Sequence, residues 1–467
     1  VWSLMGQMGQ DLKNKKVLVM GYAMTGRSVV EYLLTQGAQV TLNDRGNLLE
    51  DSSVHLLMDR GVKVVDGGHP LELLDQDFDF MVKNPGIPYH VPLIEEAQKR
   101  GLPIYTDIEL ASWIAPCPIV AVTGSNGKTT TTSWIHQMLA HRPQGQARLA
   151  GNIGVPALVT ASQASPDDVI VMEVSSFQLM GTEKFRPSIA VMTNLTSAHL
   201  DYHGSQEGYE AAKFKLVTNQ TAADFWVYNV TDSTLRAHAS QVKAQQVPFS
   251  HLPASPEVQA QGAYRQGDAL YFRGEEVAKV SQIGVPGDHN VQNALAAIAV
   301  AKLLGVSNQA IQAELSAYAG MPHRLQPIAK SAGRIFYNDS KSTNMVAATT
   351  ALKSFTQPIR YIGGGLDRGN EFDDLIPHLE YVVEAFLYGE SKEKMAKAFR
   401  QAGVPAVHLF ENLDQASLAA YEAAQAGEVV LFSPSCASWD QFANFEVRGQ
   451  HFVDLIQSYL AEKPYKD

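Results

Sequence analysis

Short apolar runs recur along the chain, each followed by glycine or a polar cluster and then by a stretch with helical spacing. The first is Val17 to Met20 in KKVLVMGYAMTGRSVVEYLLTQGAQVTLNDR. Apolar positions then repeat with helical period from Thr25 to Gln36, Gly37 stops the helix, and a second run covers Val40 to Leu42. Strand, helix, strand is an opening of the dinucleotide-binding type, since such units lay parallel strands side by side under a covering helix. VKNPGIPYHVP, at 82–92, reads as a strand leaving into a Pro/Gly loop, which is where open α/β sheets place ligands.

The same alternation begins again near Ala111. PIVAVTGSNGKTTTTSWIHQMLA reads strand, glycine loop, helix, while DVIVMEVSSF and SIAVMTNLTSAHLDYHGS carry their polar residues at the C-terminal ends of two further buried runs. VQNALAAIAVAKLLG supplies a covering helix for a central parallel sheet. A third round starts near GMPHR, at 320–324, with GRIFYND, IRYIGGG, AFLYGES and GEVVLFSPS. The pattern predicts an α/β protein of three consecutive domains. These are 1–111, Rossmann-like; 112–320, a P-loop ATPase-like parallel sheet; and 321–467, Rossmann-like again, with ligands in the clefts between them. A length of 467 residues agrees with three domains, at roughly 150 residues each.

Composition removes several classes. Lys and Arg number 37 against 48 Asp and Glu, a formal charge of -11 with no basic run, so no nucleic-acid footprint is present. Two cysteines, Cys117 and Cys436, are too few for a disulfide framework and form no C-x-x-C motif, which favours a reducing cytoplasm. No apolar run reaches the roughly 18 residues of a membrane span. The opening VWSLMGQMGQDLKNKK lacks a basic segment followed by an apolar core and does not read as a signal peptide.

The strongest chemical signal is VTGSNGKTT, Val122 to Thr130. In G-x-x-x-x-G-K-[ST] a glycine would stand where this chain has Val122, which instead ends the strand, so the working loop begins at Gly124. Backbone N–H groups and the helix N-terminus hold phosphate oxygens, Lys128 reaches the β/γ-phosphates and Thr129 can ligate Mg²⁺. ATP or GTP binding follows. Glu173 ends the next apolar run and would emerge beside the loop, as a Mg²⁺ ligand or as a solvated acid. His199, Asp201 and His203 follow another strand, as surface residues or as a zinc site. Lys213 and Lys215, on the helix predicted for YEAAKFKLV, read by pattern alone as a solvated face. In the first segment Gly21, Ala23 and Gly26 form G-x-A-x-x-G, with Asp44 where a ribose-binding acid stands; NAD is one of several ligands such an opening serves.

The motifs together resemble the ATP-dependent Mur ligases, relatives of folylpolyglutamate synthase. Thr123 to Thr130 fit TG-[TS]-NGKT[TS], and AGNIG, MEVSSFQL, HLDYHGS, YEAAK, GDHNVQNALAA, MPHR, YNDSKSTN, GGGLDRGNEF and SPSCASWDQFANFEVRG follow in family order. The resemblance covers nearly the whole chain. It implies ATP on Thr123, Gly124, Ser125, Asn126, Gly127, Lys128, Thr129 and Thr130, with Asn290 near adenine and Arg324 and Asp339 reaching in. It implies two Mg²⁺ ions on Thr129, Glu173, His199 and a Lys213 carbamate made from CO₂, while Met24, Thr25, Gly26, Asp44, Arg45 and Asn84 bind UDP and Asn152 helps hold the acceptor carboxylate. The substrates implied are UDP-MurNAc-L-Ala and D-glutamate, the latter on Lys341, Thr343, Arg368, Ser438 and Phe445, with Lys128, Glu173, His199, Lys213 and Lys341 catalytic. Arg368 stands where the family often has lysine. The implied protein is a cytoplasmic monomer that inserts in no membrane. The alternatives are a ligase of the same family taking another amino acid, and an ATP-binding regulator.

Overall fold

The computed structural model describes residues 11–196, 200–318, 320 and 322–465, the side chains of Leu200 and Asp201 excepted. Three sheets account for the three rounds of alternation. The described chain divides into two compact units, one comprising 1–280 with 292–314 and the other 281–291 with 315–467. Both of the first two sheets belong to the former.

The first sheet contains β1 (Lys16–Met20), β2 (Gln39–Asn43), β3 (Lys63–Val65), β4 (Phe80–Lys83) and β5 (Ile104–Tyr105) in the order β3-β2-β1-β4-β5. All its pairings are parallel. The helix expected from Thr25 to Gln36 runs Met24–Thr35. Ala23, in the glycine-like motif, has φ -73°, a value any residue adopts, so alanine carries no backbone strain there. Chain order reverses at β1: β2 and β3 lie on one side, β4 and β5 on the other. The loops after β1 and β4 therefore diverge and leave a crevice at the C-terminal edge.

The second sheet is built from β6 (Ile119–Thr123), β7 (Ala147–Gly151), β8 (Val169–Glu173), β9 (Ile189–Met192), β10 (Phe225–Asn229), β11 (Gln245–Ser250), β12 (Ala263–Gln266), β13 (Ala269–Phe272) and β14 (Glu275–Lys279). Its order is β14-β13-β12-β11-β10-β9-β6-β8-β7. The expectation of a parallel sheet holds from β7 to β12 and fails at the far edge, where β12, β13 and β14 pair antiparallel. The reason is local: Arg273 and Gly274, both at positive φ (50° and 83°), form the two-residue connection between β13 and β14, far too short for a parallel crossover. Order reverses again at β6, which lies between β8 and β9. Val122 pairs with Glu173 and Thr123 with Met192, so the ends of three strands converge where the glycine loop leaves the sheet.

The third sheet, β15 (Gln326–Ser331), β16 (Arg334–Asn338), β17 (Ile359–Gly364), β18 (Val382–Tyr388), β19 (Ala406–Phe410) and β20 (Val429–Phe432), has the order β15-β16-β20-β17-β18-β19. It is parallel except for the edge strand β15. Apolar side chains on both faces of this sheet form two separate clusters, one around Tyr361, Leu387 and Phe399 and one around Phe336, Phe432 and Phe452, as two helical layers require. Among the described residues no helix is long and apolar enough to cross a membrane.

Glu109, in the helix Asp107–Ile114 between the first two sheets, is fully buried. Its carboxylate accepts from Trp113 Nε1 at 2.9 Å and from the backbone N–H groups of Glu183, Lys184 and Phe185 at 2.9, 3.0 and 3.0 Å. Alanine there would strip four donors of their acceptor. Glu109→Ala is expected to lower stability by about 3 kcal/mol, read as a lower urea midpoint at unchanged m-value.

Candidate active site

The loop after β6 is stapled to the loop after β9. Asn126 N–H donates to Asn194 Oδ1 at 2.9 Å, Asn194 Nδ2 donates to Asn126 O at 3.1 Å, and Thr193 Oγ1 donates to Asn126 O at 2.6 Å. Ser125 Oγ lies 2.8 Å from both Thr196 O and Tyr209 Oη. Gly127 is at φ 80°, and a Cβ there would stand 2.2 Å from Asn293 Oδ1, so this position needs glycine for conformation and for space. The helix Lys128–Leu139 starts immediately after it. The N-terminus of a helix carries the positive end of its dipole, and here it lies at the strand end, as an anion site requires. Lys128 Nζ donates to Gly124 O at 2.9 Å and Ser125 O at 3.0 Å, which keeps the ammonium over the loop. Thr129 is half-buried and Thr130 buried on the first turn. Strand β6 runs one residue beyond Val122, to Thr123, and the missing glycine is a strand residue, as expected.

Glu173 is not a solvated acid: it is 1% exposed. Asn152, on the loop after β7, donates its Nδ2 to Glu173 Oε1 at 2.8 Å and its N–H to Glu173 O at 2.9 Å. The other carboxylate oxygen, Oε2, is buried without a hydrogen-bond partner. A buried, oriented and unsatisfied carboxylate oxygen suits a hard divalent cation such as Mg²⁺.

The pattern reading of Lys213 and Lys215 as a solvated face is overturned. Lys213 is 2% exposed, because the helix Gln206–Thr218 buries Tyr209, Ala212, Lys213 and Leu216 on one side. Its Nζ donates to Thr123 Oγ1 at 3.1 Å and lies 5.0 Å from the centre of the Tyr209 ring. Burial lowers its pKa well below the ordinary lysine value; the charge of Lys128 adds to this and that of Glu173 opposes it. Lys215 turns the other way and donates to Met180 O and Thr182 O at 2.9 and 2.7 Å. His199 lies outside the described residues, as does the side chain of Asp201. His203 is bonded through Nε2 to Ser176 Oγ at 2.9 Å and stacks on Phe177.

At the first sheet, the crevice at the order reversal is a cavity of about 380 Å³ whose lining includes Asp44, Arg45, His69, Asn84 and Ile87. Asp44 accepts from Tyr22 N–H at 2.7 Å and from Gly46 N–H at 2.8 Å, so it fixes the loop after β1 as well as facing the cavity. Met24, Thr25 and Gly26 form the first turn of the adjoining helix; Met24 is exposed.

The second unit carries the remaining expected residues. Asn290 is buried, with Nδ2 2.6 Å from Pro286 O. Arg324 is exposed on a turn whose neighbours His323 and Leu325 both have positive φ, 63° and 41°. Asp339, expected at the nucleotide, is buried, its carboxylate accepting from Leu325 N–H at 3.0 Å and Ser433 Oγ at 2.7 Å. Burial pushes its pKa up to about 7. Asp339 therefore shapes the Arg324 turn. Arg448, fully buried, donates to Ser340 Oγ, Ser340 O and Cys436 O at 3.0, 2.8 and 3.0 Å, tying together the segments that bear Lys341, Ser438 and Phe445. Lys341 Nζ lies 5.6 Å from the Phe445 ring centre, and Thr343 is half-buried two residues on. Ser438 is buried, and Arg368 stacks over the exposed Trp439 at 4.9 Å.

Sequence reasoning missed Thr193, Asn194, Asn293, His69 and Arg448. The signal for Asn194 was present, since it follows an apolar run as Glu173 does; Asn293 and Arg448 act across long sequence separations that no local pattern marks.

A phosphate-binding loop at a strand-order reversal, with a buried carboxylate and a buried lysine beside it, defines a nucleotide-using enzyme of the P-loop α/β class. Family models match at the MurD-like N-terminal domain of Mur ligases over 15–106, the Mur ligase middle domain over 122–301 and the Mur ligase glutamate ligase domain over 323–436. UDP-N-acetylmuramoylalanine--D-glutamate ligase of Streptococcus pneumoniae (strain P1031) is 50% identical over 447 residues, 96% of this chain and 98% of that protein. The protein of the same name from Enterococcus faecalis (strain ATCC 700802 / V583) is 47% identical over 447 residues, 95% of this chain and 97% of its own. Among solved structures, the MurF ligase of Thermotoga maritima in complex with ADP matches in fold, with TM-score 0.56, 15% identity, and coverage of 99% of this chain and 100% of that one. The chain belongs to the Mur ligase family of ATP-dependent ligases.

Proposed function

We propose that this protein joins D-glutamate to UDP-N-acetylmuramoyl-L-alanine with ATP, forming UDP-N-acetylmuramoyl-L-alanyl-D-glutamate, ADP and phosphate for peptidoglycan precursor synthesis in the cytoplasm. The observation that carries this reading is near-full-length identity of about half to ligases named for that reaction. Residues 1–111 bind the UDP moiety in the cavity at Asp44 and Asn84, residues 112–320 bind ATP on the loop at 123–130, and residues 321–467 bind the amino acid and part of ATP. The protein acts as a monomer.

Amide formation from a carboxylate and an amine opposes equilibrium in water, and ATP reverses this. The alanyl carboxylate attacks the γ-phosphorus, a new P–O bond forms as the bond to ADP breaks, and the product is an acyl phosphate. The D-glutamate amine then attacks the acyl carbon, and the tetrahedral intermediate expels phosphate. Lys128 and the helix N-terminus stabilise the spreading phosphoryl charge. Mg²⁺ on Thr129, Glu173, His199 and carbamylated Lys213 would neutralise phosphate oxygens during transfer. Asn152 orients Glu173 and the acceptor carboxylate. Lys341, Thr343, Arg368, Ser438 and Phe445 hold D-glutamate, with the Arg368 guanidinium directed to its side-chain carboxylate. Because an acyl phosphate hydrolyses when wet, substrate binding excludes water.

The test is ligation by purified protein with ATP, UDP-MurNAc-L-Ala and a panel of amino acids. D-Glutamate should be the preferred amine. Preference for L-alanine, a diamino acid or a dipeptide would move the protein to another branch of the family, and phosphate release independent of both substrates would indicate an ATP-driven regulator.

A further inference from the structure

The loop that lines the UDP-side cavity rests on a buried cation. Lys83 ends β4 and is 1% exposed. Its Nζ donates to Ile87 O at 2.8 Å and to Asn84 O, Pro85 O and Tyr202 Oη at 3.3 Å each. Its ammonium also lies 4.5 Å from the centre of the Tyr89 ring. Three backbone carbonyls of one turn are thus gathered on a single ammonium, and the fourth acceptor comes from the second sheet's domain. Tyr202 Oη is itself 3.1 Å from both Pro85 O and Ile87 O.

Tyr202 belongs to the short helix Leu200–His203, in the segment read above as the metal side. Its ring packs on Phe177 at 4.3 Å and on His203 at 5.1 Å, and Phe177 follows Glu173 by four residues. A continuous path therefore runs from Asn84 and Ile87, in the cavity lining, through Lys83 and Tyr202 to the strand end bearing Glu173.

We propose that Lys83 and Tyr202 form a clamp that positions the nucleotide-sugar loop against the metal-side segment, so that the substrate carboxylate is held in register with the phosphate loop. The role rests on the reading of the cavity as the UDP site. Neither residue touches a reacting atom; both are positioning residues. Burial lowers the Lys83 pKa to about 7, and among the described residues its hydrogen-bond acceptors are carbonyl and hydroxyl oxygens.

The experiment compares wild type, Lys83→Met, Tyr202→Phe and the double variant in steady-state kinetics with ATP, UDP-MurNAc-L-Ala and D-glutamate, alongside calorimetric binding of UDP-MurNAc-L-Ala and thermal melting. Tyr202→Phe removes one oxygen and keeps the ring packing, so it reports even if Lys83→Met folds poorly. The clamp predicts that KM for UDP-MurNAc-L-Ala rises roughly 10-fold or more and kcat falls, because charged hydrogen bonds are lost. It also predicts that KM for ATP stays within about twofold and that the double variant is no worse than Lys83→Met, as for residues acting as a unit. Variants that melt lower but keep both KM values would overturn the clamp and leave a purely structural lysine. If wild type turns over and Tyr202→Phe matches it in KM for the UDP substrate, the clamp alone is wrong. If wild type fails to bind UDP-MurNAc-L-Ala, the reading of the cavity falls and the clamp with it.

Discussion

Lys128→Ala is expected to slow product formation by roughly 10² to 10⁴-fold, the range for loss of a central charge-stabilising donor. The side chain is half-buried over its own loop and donates to Gly124 O and Ser125 O. Both carbonyls belong to the strand-to-helix turn, where each such bond contributes about 1 kcal/mol to folding. The loss in kcat should therefore be far larger than any loss of stability. Binding of ATP should weaken less than kcat falls, since the charge on the transferring phosphoryl group is spread most widely in the transition state. Lys128→Arg should rescue poorly, because a planar fork replaces a compact point charge in a loop fitted to the latter. The variant also has a predicted side effect: Lys128 is one of the charges lowering the Lys213 pKa, so its removal should raise that pKa. A nearly wild-type rate of phosphate release, measured with both substrates present, would remove the loop from the chemistry.

Much of this was legible because the decisive features are local. A strand, a glycine loop and a helix in Ile119 to Leu139 carry their own periods and breakers, and the structure shifts the boundaries by about a residue. The order reversals at β1 and β6 cannot be read locally, yet they decide that Glu173 lies beside Val122 and that the loop after β4 faces Asp44. Lys213 shows the limit of periodicity. A lysine on a helix is normally solvated, and only the packing of Tyr209, Ala212 and Leu216 against the end of β6 reveals that this one is buried. Asp339 shows a second limit: its donors Ser433 and Leu325 lie far apart in sequence, so no local pattern marks its burial.

Lys213→Ala is expected to cost as much as the loss of a metal ligand, roughly 10² to 10⁴-fold in kcat, and the cause separates by rescue. Burial lowers the lysine pKa, which leaves more of the neutral amine at neutral pH than an exposed lysine would have. A neutral amine can attack CO₂, forming an N–C bond and releasing a proton, and the product is an anionic carbamate. Such an anion would repel the Glu173 carboxylate, and Glu173 and the carbamate would together supply oxygen ligands to a divalent cation that offsets both charges. Lys213→Ala should then regain part of its rate with formate or acetate, which place a carboxylate in the vacated space. Wild type stripped of CO₂ should lose rate and recover it with bicarbonate. Carbon-13 bicarbonate should give a carbamate signal that disappears in Lys213→Ala and does not depend on turnover. If carboxylates fail to rescue and wild type ignores CO₂, the lysine acts as an ammonium. Lys213→Arg would then be the better substitute, since it keeps the charge that carbamylation would reverse.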